Sequence, residues 1–478
     1  MLFTKIVATL GPACNNPTTL REILAAGVDV VRINCSHGRI EDHVEEVALV
    51  RSVADELGKH VAVLADLQGP KMRVGELPKE GIALQCDDRV VIRAGCTTAP
   101  DPIIPCVYEH LADDVRAGDR ILFADGMIEA RVDEVSGSDV TATVVRPGVL
   151  HGRKGINLPG VSVTAQSPTP KDLSDLEYMV AAGVDYVALS FVQTAADVHR
   201  LRDAISALGA STPIIAKLER PEAIEHLDEI VECVDAIMVA RGDLGVEAGP
   251  EQVPILQKRF IAAANAHAIP VITATEMLES MIHETRPTRA EASDVANAVF
   301  DGTDAVMLSA ETAVGAYPVE AVRYMRRICD TAESAPWALR LKPVPHGVIG
   351  TARAVARAVC QTVVDLNAVA VVVHTTTGVS SRLVSSFRPG VPILALSPSE
   401  TTIRRTALHH GVRAERVLAA DDSFALMTQA NEMALSTGLA KDGDTIIVVA
   451  GAPGQIGGTN RMLIHRIDST LPTPPGTF

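Results

Sequence analysis

Ala25-Ala26-Gly27-Val28-Asp29-Val30-Val31 reads as the end of a helix, a glycine stop and the start of a buried strand. It is nearly repeated as Ala181-Ala182-Gly183-Val184-Asp185-Tyr186-Val187. Shorter echoes stand at Val234-Asp235-Ala236-Ile237-Met238 and Thr303-Asp304-Ala305-Val306-Met307. A glycine after the last apolar helical position fits a helix C-terminus. The near-continuous apolar run behind it fits a strand covered on both faces. Upstream, residues 5–10 form a short apolar strand ending at Gly11-Pro12, and Asn16-Pro17 supplies an N-cap with a first-turn proline. Leu20, Ile23 and Leu24 make one apolar helical stripe. Such recurring helix-then-strand units predict a parallel sheet with helical crossovers.

Buried strands are expected near 5–10, 28–34, 61–66, 186–191, 213–219, 236–240, 270–275 and 305–309. Most end in polar residues: Arg32 and Asn34, Asp66, Ser190, Lys217 and Glu219, Arg241 to Asp243, Thr273 and Thr275, and Ser309. Eight polar-tipped strands favour a (β/α)8 TIM barrel, with chemistry at the strands' carboxyl ends, over an open doubly wound sheet. Residues 1–69 and 165–340 are assigned to this barrel. Residues 70–164 interrupt it without long amphipathic helices and carry turn signals such as Ala117-Gly118-Asp119 and Ser136-Gly137-Ser138. They predict a small inserted β-barrel cap, hinged at Pro70 and Pro159-Gly160, that closes over substrate. Beyond Trp337, the stretch Leu341-Lys342-Pro343-Val344-Pro345 reads as a linker. Residues 341–478 then restart the alternation, with apolar strands at 368–373, 392–396 and 445–450, as a C-terminal three-layer α/β domain.

Charge sets a further condition. Lys+Arg 43 against Asp+Glu 59 gives a net charge of -16, which disfavours nonspecific nucleic-acid binding. An anionic substrate would therefore need a local basic cluster. No apolar run is long enough for a membrane helix. Eight cysteines without a CxxC pair, and no leader-like start, lead us to expect reduced thiols and a cytoplasmic protein.

The most informative strand is Ile214-Ile215-Ala216-Lys217-Leu218-Glu219. Strand periodicity puts Lys217 and Glu219 on one face. A purely structural ion pair there would suffer desolvation that often outweighs its attraction. A divalent metal on Glu219, with Lys217 aimed at an anion, accounts for the pair better. Asp243 follows Gly242 just past the next strand, and two carboxylates on adjacent strand ends suit Mg2+ or Mn2+, with water and substrate oxygens completing the shell. Capping of the next turn is the plainer role for Asp243 alone. Arg32 and Asn34 share a face of the second strand, with Ser36-His37-Gly38 behind them, and Arg73 lies beyond the third. Arginines at a barrel mouth suit phosphate, supplying the required basic cluster. A lone His37 is more often a packing residue. Thr273 and Thr275 are placed inward on the seventh strand, where threonine is ordinarily just a good β-former. In the third domain, Thr375-Thr376-Thr377-Gly378-Val379-Ser380-Ser381 opens a helix, and residues 451–460 form a second glycine-rich loop. Either loop alone reads as a turn; together they suggest a phosphorylated effector.

Long ordered strings of this chain resemble the pyruvate kinase family, particularly its potassium-independent bacterial members. They are Thr4 to Pro12, Arg32 to Gly38, Lys217-Leu218-Glu219, Met238 to Gly245, Glu279 to Ile282, Arg286 to Glu291 and Asp294 to Val299. The resemblance implies transfer of a phosphoryl group from phosphoenolpyruvate to ADP, giving pyruvate and ATP. It implies Glu219 and Asp243 as Mg2+ (or Mn2+) ligands and Lys217 as the group stabilising charge in flight. Arg32 and Arg73 would bind phosphate, and Gly242, Asp243 and Thr275 the carboxylate end of phosphoenolpyruvate. Asn34, His37, Arg73 and Lys154 would face the nucleotide. Thr275 and Ser309 would help protonate the enolate. Thr375, Thr376, Thr377, Gly378, Ser380, Gly457 and Thr459 would bind the effector, in a homotetramer.

The chain departs from the commoner pattern at Asp66-Leu67-Gln68-Gly69-Pro70-Lys71, where many members carry Asp-Thr-Lys-Gly-Pro-Glu and bind potassium. Lys71 is expected to fill the potassium position beside Asn34, Ser36, Asp66 and Leu67, so that K+ is not required. Glu276 and Ala310 stand where glutamine and glycine are usual. The alternatives are another metal-dependent enolate or pyruvate-class barrel enzyme, which would not need Lys154 or a nucleotide, and a non-catalytic metabolite sensor.

Overall fold

The computed structural model describes residues 3–335, 350–420, 422–451 and 458–471. Trp337, the proposed linker at 341–345 and Gly457 lie outside the described residues. The predicted barrel strands are β1 (Lys5–Thr9), β2 (Val30–Asn34), β3 (Ala62–Asp66), β4 (Tyr186–Leu189), β5 (Ile214–Leu218), β6 (Ala236–Ala240), β7 (Val271–Ala274) and β8 (Ala305–Leu308). All pair in parallel with their neighbours in chain order, and β8 closes on β1. Asn16 caps the first helix, Pro17–Ala26, by accepting a hydrogen bond from Thr19 N–H, and Gly27 ends it.

Period-two alternation decides which side chains reach the mouth. Val30, Ala62, Leu64, Tyr186, Ala188, Ile215, Met238, Ile272, Ala274 and Met307 pack together inside the barrel. Their partners of opposite parity, among them Val31, Val63, Val187, Ala216 and Val271, pack under the helices. Arg32, Asn34, Asp66, Ser190, Lys217, Glu219 and Ser309 share the inward parity. Thr273 does not. Ile272 and Ala274 take the inner positions of β7, so the expectation of an inward Thr273 is corrected: its hydroxyl donates instead to Thr303 Oγ1 at 3.0 Å. Thr275 lies past the strand end in the left-handed region, at φ 68°.

The aspartates of the repeated sequence unit share one task at the barrel's foot. Asp29, Asp185, Asp235 and Asp304 precede the even-numbered strands, and each carboxylate accepts the N–H of the preceding odd-numbered strand. The donors are Ile6, Val63, Ile214 and Val271, at 2.8–2.9 Å. Each aspartate also meets a cation: Lys5, Arg51, Arg202 and Arg388 in turn.

The insert holds a six-stranded sheet that curls into a half-barrel in the order 156–157, 120–123, 128–136, 139–146, 89–93, 103–105, with a two-stranded ribbon of 82–84 and 148–150. It has its own core around Ile92, Phe123 and Val140. The C-terminal unit is a five-stranded sheet of β9 (Ala370–His374), β10 (Ile393–Ser397), β11 (Val412–Arg416), β12 (Thr445–Gly451) and β13 (Thr459–Arg466), ordered β11-β10-β9-β12-β13, with β13 antiparallel. Strands β11 and β13 escaped the sequence reading. Both are edge strands that do not run apolar throughout: β11 alternates Val412, Arg413, Ala414 and Glu415, and β13 sets Met462-Leu463-Ile464 between polar ends. This domain grips the barrel's foot. Arg404 Nε reaches Asp185 Oδ1 at 3.0 Å, Tyr186 OH donates to Arg405 O at 2.6 Å, and Lys5 Nζ to Val412 O at 2.7 Å. All eight cysteines are free thiols, and no helix among the described residues is long and apolar enough to cross a membrane.

Candidate active site

At the barrel mouth four adjacent strands bring their charges together. Lys217 Nζ lies 2.9 Å from Glu219 Oε1 and 3.3 Å from Asp66 Oδ1, and donates to Ser190 Oγ at 2.7 Å. Arg32 Nε donates to the other Asp66 oxygen at 2.6 Å, and its Nη1 to Thr9 Oγ1 at 3.1 Å. Asp66 is almost wholly buried. Burial alone would raise its pKa, but Lys217 and Arg32 more than offset that and hold it below the usual carboxylate range. Burial opposes charge on Lys217 too, yet Asp66 and Glu219 outweigh it, so the ammonium is retained.

Glu219 is the contrary case. It is fully buried, and burial pushes its pKa up; Lys217 opposes that shift while the neighbouring Asp243 carboxylate adds to it. Oε2 accepts Phe191 N–H at 2.7 Å, whereas Oε1 has the nearby ammonium but no hydrogen bond. A buried carboxylate oxygen with no hydrogen bond, beside a second carboxylate, is the donor set a hard divalent cation would satisfy. Among the described residues no three histidine, cysteine or acidic side chains converge as a metal site. Glu219 and Asp243 would thus share an ion with water and substrate oxygens.

Asp243 sits in the helix Arg241–Ala248, directly after β6. Gly242 N–H donates to Thr275 Oγ1 at 2.7 Å, joining two elements implied in substrate binding. Thr275 and Glu276 both take left-handed backbone, costly for a β-branched residue. Arg241 holds them there, its guanidinium reaching Thr275 O at 2.7 Å and Glu276 O at 3.1 Å while it pairs with Asp294 at 2.6 Å. Ser309 Oγ is buried without a hydrogen-bond partner, while Ser309 N–H donates to Glu311 Oε2 at 2.7 Å.

Lys71 is not where it was expected. Its ammonium lies 3.2 Å from Asp243 Oδ1 rather than beside Asn34, Ser36 and Asp66. The reason is occupancy: Lys217 and Arg32 already take both Asp66 oxygens, so Asp243 offers the stronger anion. Asn34 Oδ1 accepts Ser36 N–H at 3.2 Å, and Leu67 O accepts Ser190 Oγ–H at 2.7 Å. His37 is exposed at the rim. Partial burial lowers its pKa, and Arg73, Lys71 and Arg32 lower it further, which locates the expected basic cluster. Arg73 bridges to Gly155, next to the exposed Lys154, so both belong to the loop pair joining cap and barrel. A cleft of about 900 Å³ opens between the two, lined by Asp125 and Arg146 of the cap and by Arg241, Gly242 and Glu276.

In the C-terminal domain, Thr375 Oγ1 accepts Gly378 N–H at 3.0 Å at the head of the helix Val379–Ser386. Thr376 and Thr377 are exposed beside it, and Ser380 and Thr459 hydroxyls bond to each other. Sequence reasoning missed the Phe191 N–H that fixes Glu219. A backbone donor set by left-handed geometry, φ 57° here, leaves no side-chain signature.

Comparison with known proteins agrees along nearly the whole chain. Residues 1–322 match the family model "Pyruvate kinase, barrel domain", and residues 353–465 match "Pyruvate kinase, alpha/beta domain". A pyruvate kinase from Mycobacterium tuberculosis is 43% identical over 465 residues, covering 97% of this chain and 98% of that one. One from Geobacillus stearothermophilus is 40% identical over 482 residues, covering 98% of this chain and 81% of the other. A crystal structure of a pyruvate kinase from Cryptosporidium parvum superposes with a TM-score of 0.91 at 34% identity, covering 98% and 96% of the two chains. With these matches spanning the barrel and the C-terminal sheet alike, the chain belongs to the pyruvate kinase family.

Proposed function

We propose the following division of labour for the family's reaction, phosphoryl transfer from phosphoenolpyruvate to ADP. Arg32 and Arg73 bind the phosphate, and Lys217 stays cationic against the equatorial oxygens as charge develops on them. Catalysis of this transfer is mainly positioning and preorganised positive charge. Glu219 and Asp243 hold the divalent ion, which when bound supplies Lewis-acid polarisation of substrate oxygens. Gly242 and Thr275 receive the carboxylate end of the substrate, and Thr275 and Ser309 pass a proton to the enolate carbon after transfer. Asn34, His37, Arg73 and Lys154 face the nucleotide as the cap closes. What carries this reading is Lys217, held between Asp66 and Glu219, with the buried Glu219 and the partly exposed Asp243 carboxylates side by side at the mouth.

We further propose that K+ is not required, because Lys71 already brings a monovalent positive charge to the mouth. Domain limits at 69/70, 164/165 and 340/341, a cytoplasmic homotetramer, and a phosphorylated effector at Thr375–Ser380 and Thr459 complete the reading. The test is pyruvate formation from phosphoenolpyruvate and ADP with Mg2+, in buffers with K+ and with tetramethylammonium in its place. Equal rates in the two buffers, and acquired K+ dependence in Lys71→Glu, support the reading. Strong K+ activation of the unmodified enzyme rules out the monovalent part. Full activity in Glu219→Gln rules out the metal assignment.

A further inference from the structure

The Lys71–Asp243 contact joins three parts of the molecule. Asp243 belongs to the barrel and is half of the carboxylate pair that fits a divalent ion. Lys71 belongs to the segment by which the chain leaves the barrel for the cap. Its stem also runs beside the cap's return loop, close enough that a Cβ added to Gly155 would lie 3.6 Å from Lys71 Cε. Two residues on, Arg73 bridges in antiparallel fashion to that same Gly155. Lys71 thus ties the metal-site carboxylate to both strands of the cap hinge.

We propose that Lys71 is a tethered cation that occupies Asp243 until a divalent ion displaces it, so that metal binding releases a latch on the cap hinge. The inference rests on the reading of Glu219 and Asp243 as the divalent-ion site. Its physical basis is competition. An ammonium 3.2 Å from Asp243 Oδ1 and a divalent ion cannot both take the oxygen at full strength, and the apparent affinity for the ion falls by the fraction of protein in which the carboxylate is free. Asp243 is about a quarter exposed, so exchange needs no unfolding. Glu219 is pinned through Oε2 by Phe191 N–H, with Oε1 paired to the buried Lys217, and stays in place as the fixed ligand. Once displaced, Lys71 faces the phosphate-binding side of the mouth, where Arg32 and Arg73 already act with it on His37.

The test measures binding rather than turnover. Mn2+ is titrated into the substrate-free enzyme and free Mn2+ is followed by electron paramagnetic resonance, for the unmodified chain, Lys71→Met, Lys71→Arg, Arg73→Gln and Glu219→Gln. The latch predicts that Lys71→Met binds Mn2+ about tenfold more tightly, that Lys71→Arg stays near the unmodified value, and that Arg73→Gln changes little. Hydrogen exchange of residues 69–74 and 153–156 should quicken on Mn2+ addition in the unmodified enzyme and be already fast in Lys71→Met. Unchanged or weaker Mn2+ binding by Lys71→Met overturns the proposal. So does equal tightening by Arg73→Gln, which would mean a general field rather than this contact. Unimpaired binding by Glu219→Gln would instead sink the metal-site reading beneath it.

Discussion

The two ends of the barrel use the same residue types to opposite purposes. At the foot, Asp29, Asp185, Asp235 and Asp304 each take a strand N–H and a cation; the C-terminal domain supplies Arg388 as the cation of Asp304 and adds Arg404 as a second on Asp185. Asp185 is fully buried, yet its two oxygens serve Val63 N–H, Arg51 and Arg404. At the mouth, Asp66, Glu219 and Asp243 crowd Lys217 and Lys71, and oxygens of Glu219 and Ser309 remain without hydrogen bonds. Carboxylates whose oxygens are taken by a strand N–H and a cation mark where the fold is fastened. Crowded carboxylates, with Glu219 Oε1 held by an ion pair alone and Asp243 partly open to solvent, mark where a ligand is expected.

The largest separation should come from Lys217→Met. Removing the cation that faces the transferring group is expected to lower pyruvate formation by about a thousandfold or more, as with other preorganised transition-state partners. Circular dichroism would confirm that the barrel persists. Retention of a tenth of the activity would mean that charge at the mouth does not serve the chemistry. Asp185→Ala tests the other end. It strands Arg51 and Arg404 and leaves Val63 N–H without its carboxylate, so unfolding in urea should show a loss of about 3–5 kcal/mol. Turnover of the folded fraction should hold within a few fold.

The barrel and much of its mouth are legible in the sequence; the fastening of its foot is not. Apolar strands with polar tips gave the barrel because a strand buried on both faces has little freedom in composition. The Val-Asp repeat was visible too, but its meaning was not: nothing in the order of residues says that each aspartate reaches back to the strand before its own. Lys217 and Glu219 are placed together by parity, a local property of one strand, and Asp243 by its position after Gly242 just past the next strand. Thr273 was misplaced for the same kind of reason, since parity has to be counted from a known inner residue and β7 offered none. The position of Lys71 depended on which anion the other cations left free, a competition among residues far apart in the chain.

Acid should loosen the C-terminal domain and its joint with the foot. Burial pushes His409 down to about 3, with Arg382 and Lys5 adding to the shift, and pushes His374 down to about 4. His409 packs near the barrel's foot, with its Nδ1 3.5 Å from Ser381 Oγ. Both histidines fold neutral, while the unfolded chain protonates them near 6.5. Between that value and the folded one the unfolded state binds more protons, so stability is complete above about 6.5 and declines as pH falls, by up to about 1.4 kcal/mol per unit for each group. Asp66 titrates below the usual carboxylate range, so its contribution persists until lower pH. Urea midpoints from pH 7 to 5 should therefore fall for the unmodified enzyme and fall less steeply for His409→Gln. Parallel slopes would remove the acid sensitivity from this joint.

The smallest effect makes the finest test, because it compares two ends of one strand. Asp185 stands at the foot of β4, and Ser190 just beyond its head. Ser190 Oγ accepts from Lys217 Nζ and donates to Leu67 O, both at 2.7 Å. Ser190→Ala leaves Lys217 its two carboxylates, so the ammonium stays but loses one of three directions that fix it. One neutral hydroxyl in such a network is worth about 1 kcal/mol, or roughly five- to tenfold in rate if it acts only on positioning. That loss should appear in kcat with KM for phosphoenolpyruvate nearly unchanged, and the urea midpoint should move far less than in Asp185→Ala. If Ser190→Ala instead destabilises the fold as much as Asp185→Ala while sparing kcat, the head of the strand is fastened like its foot, and the division between the two ends fails.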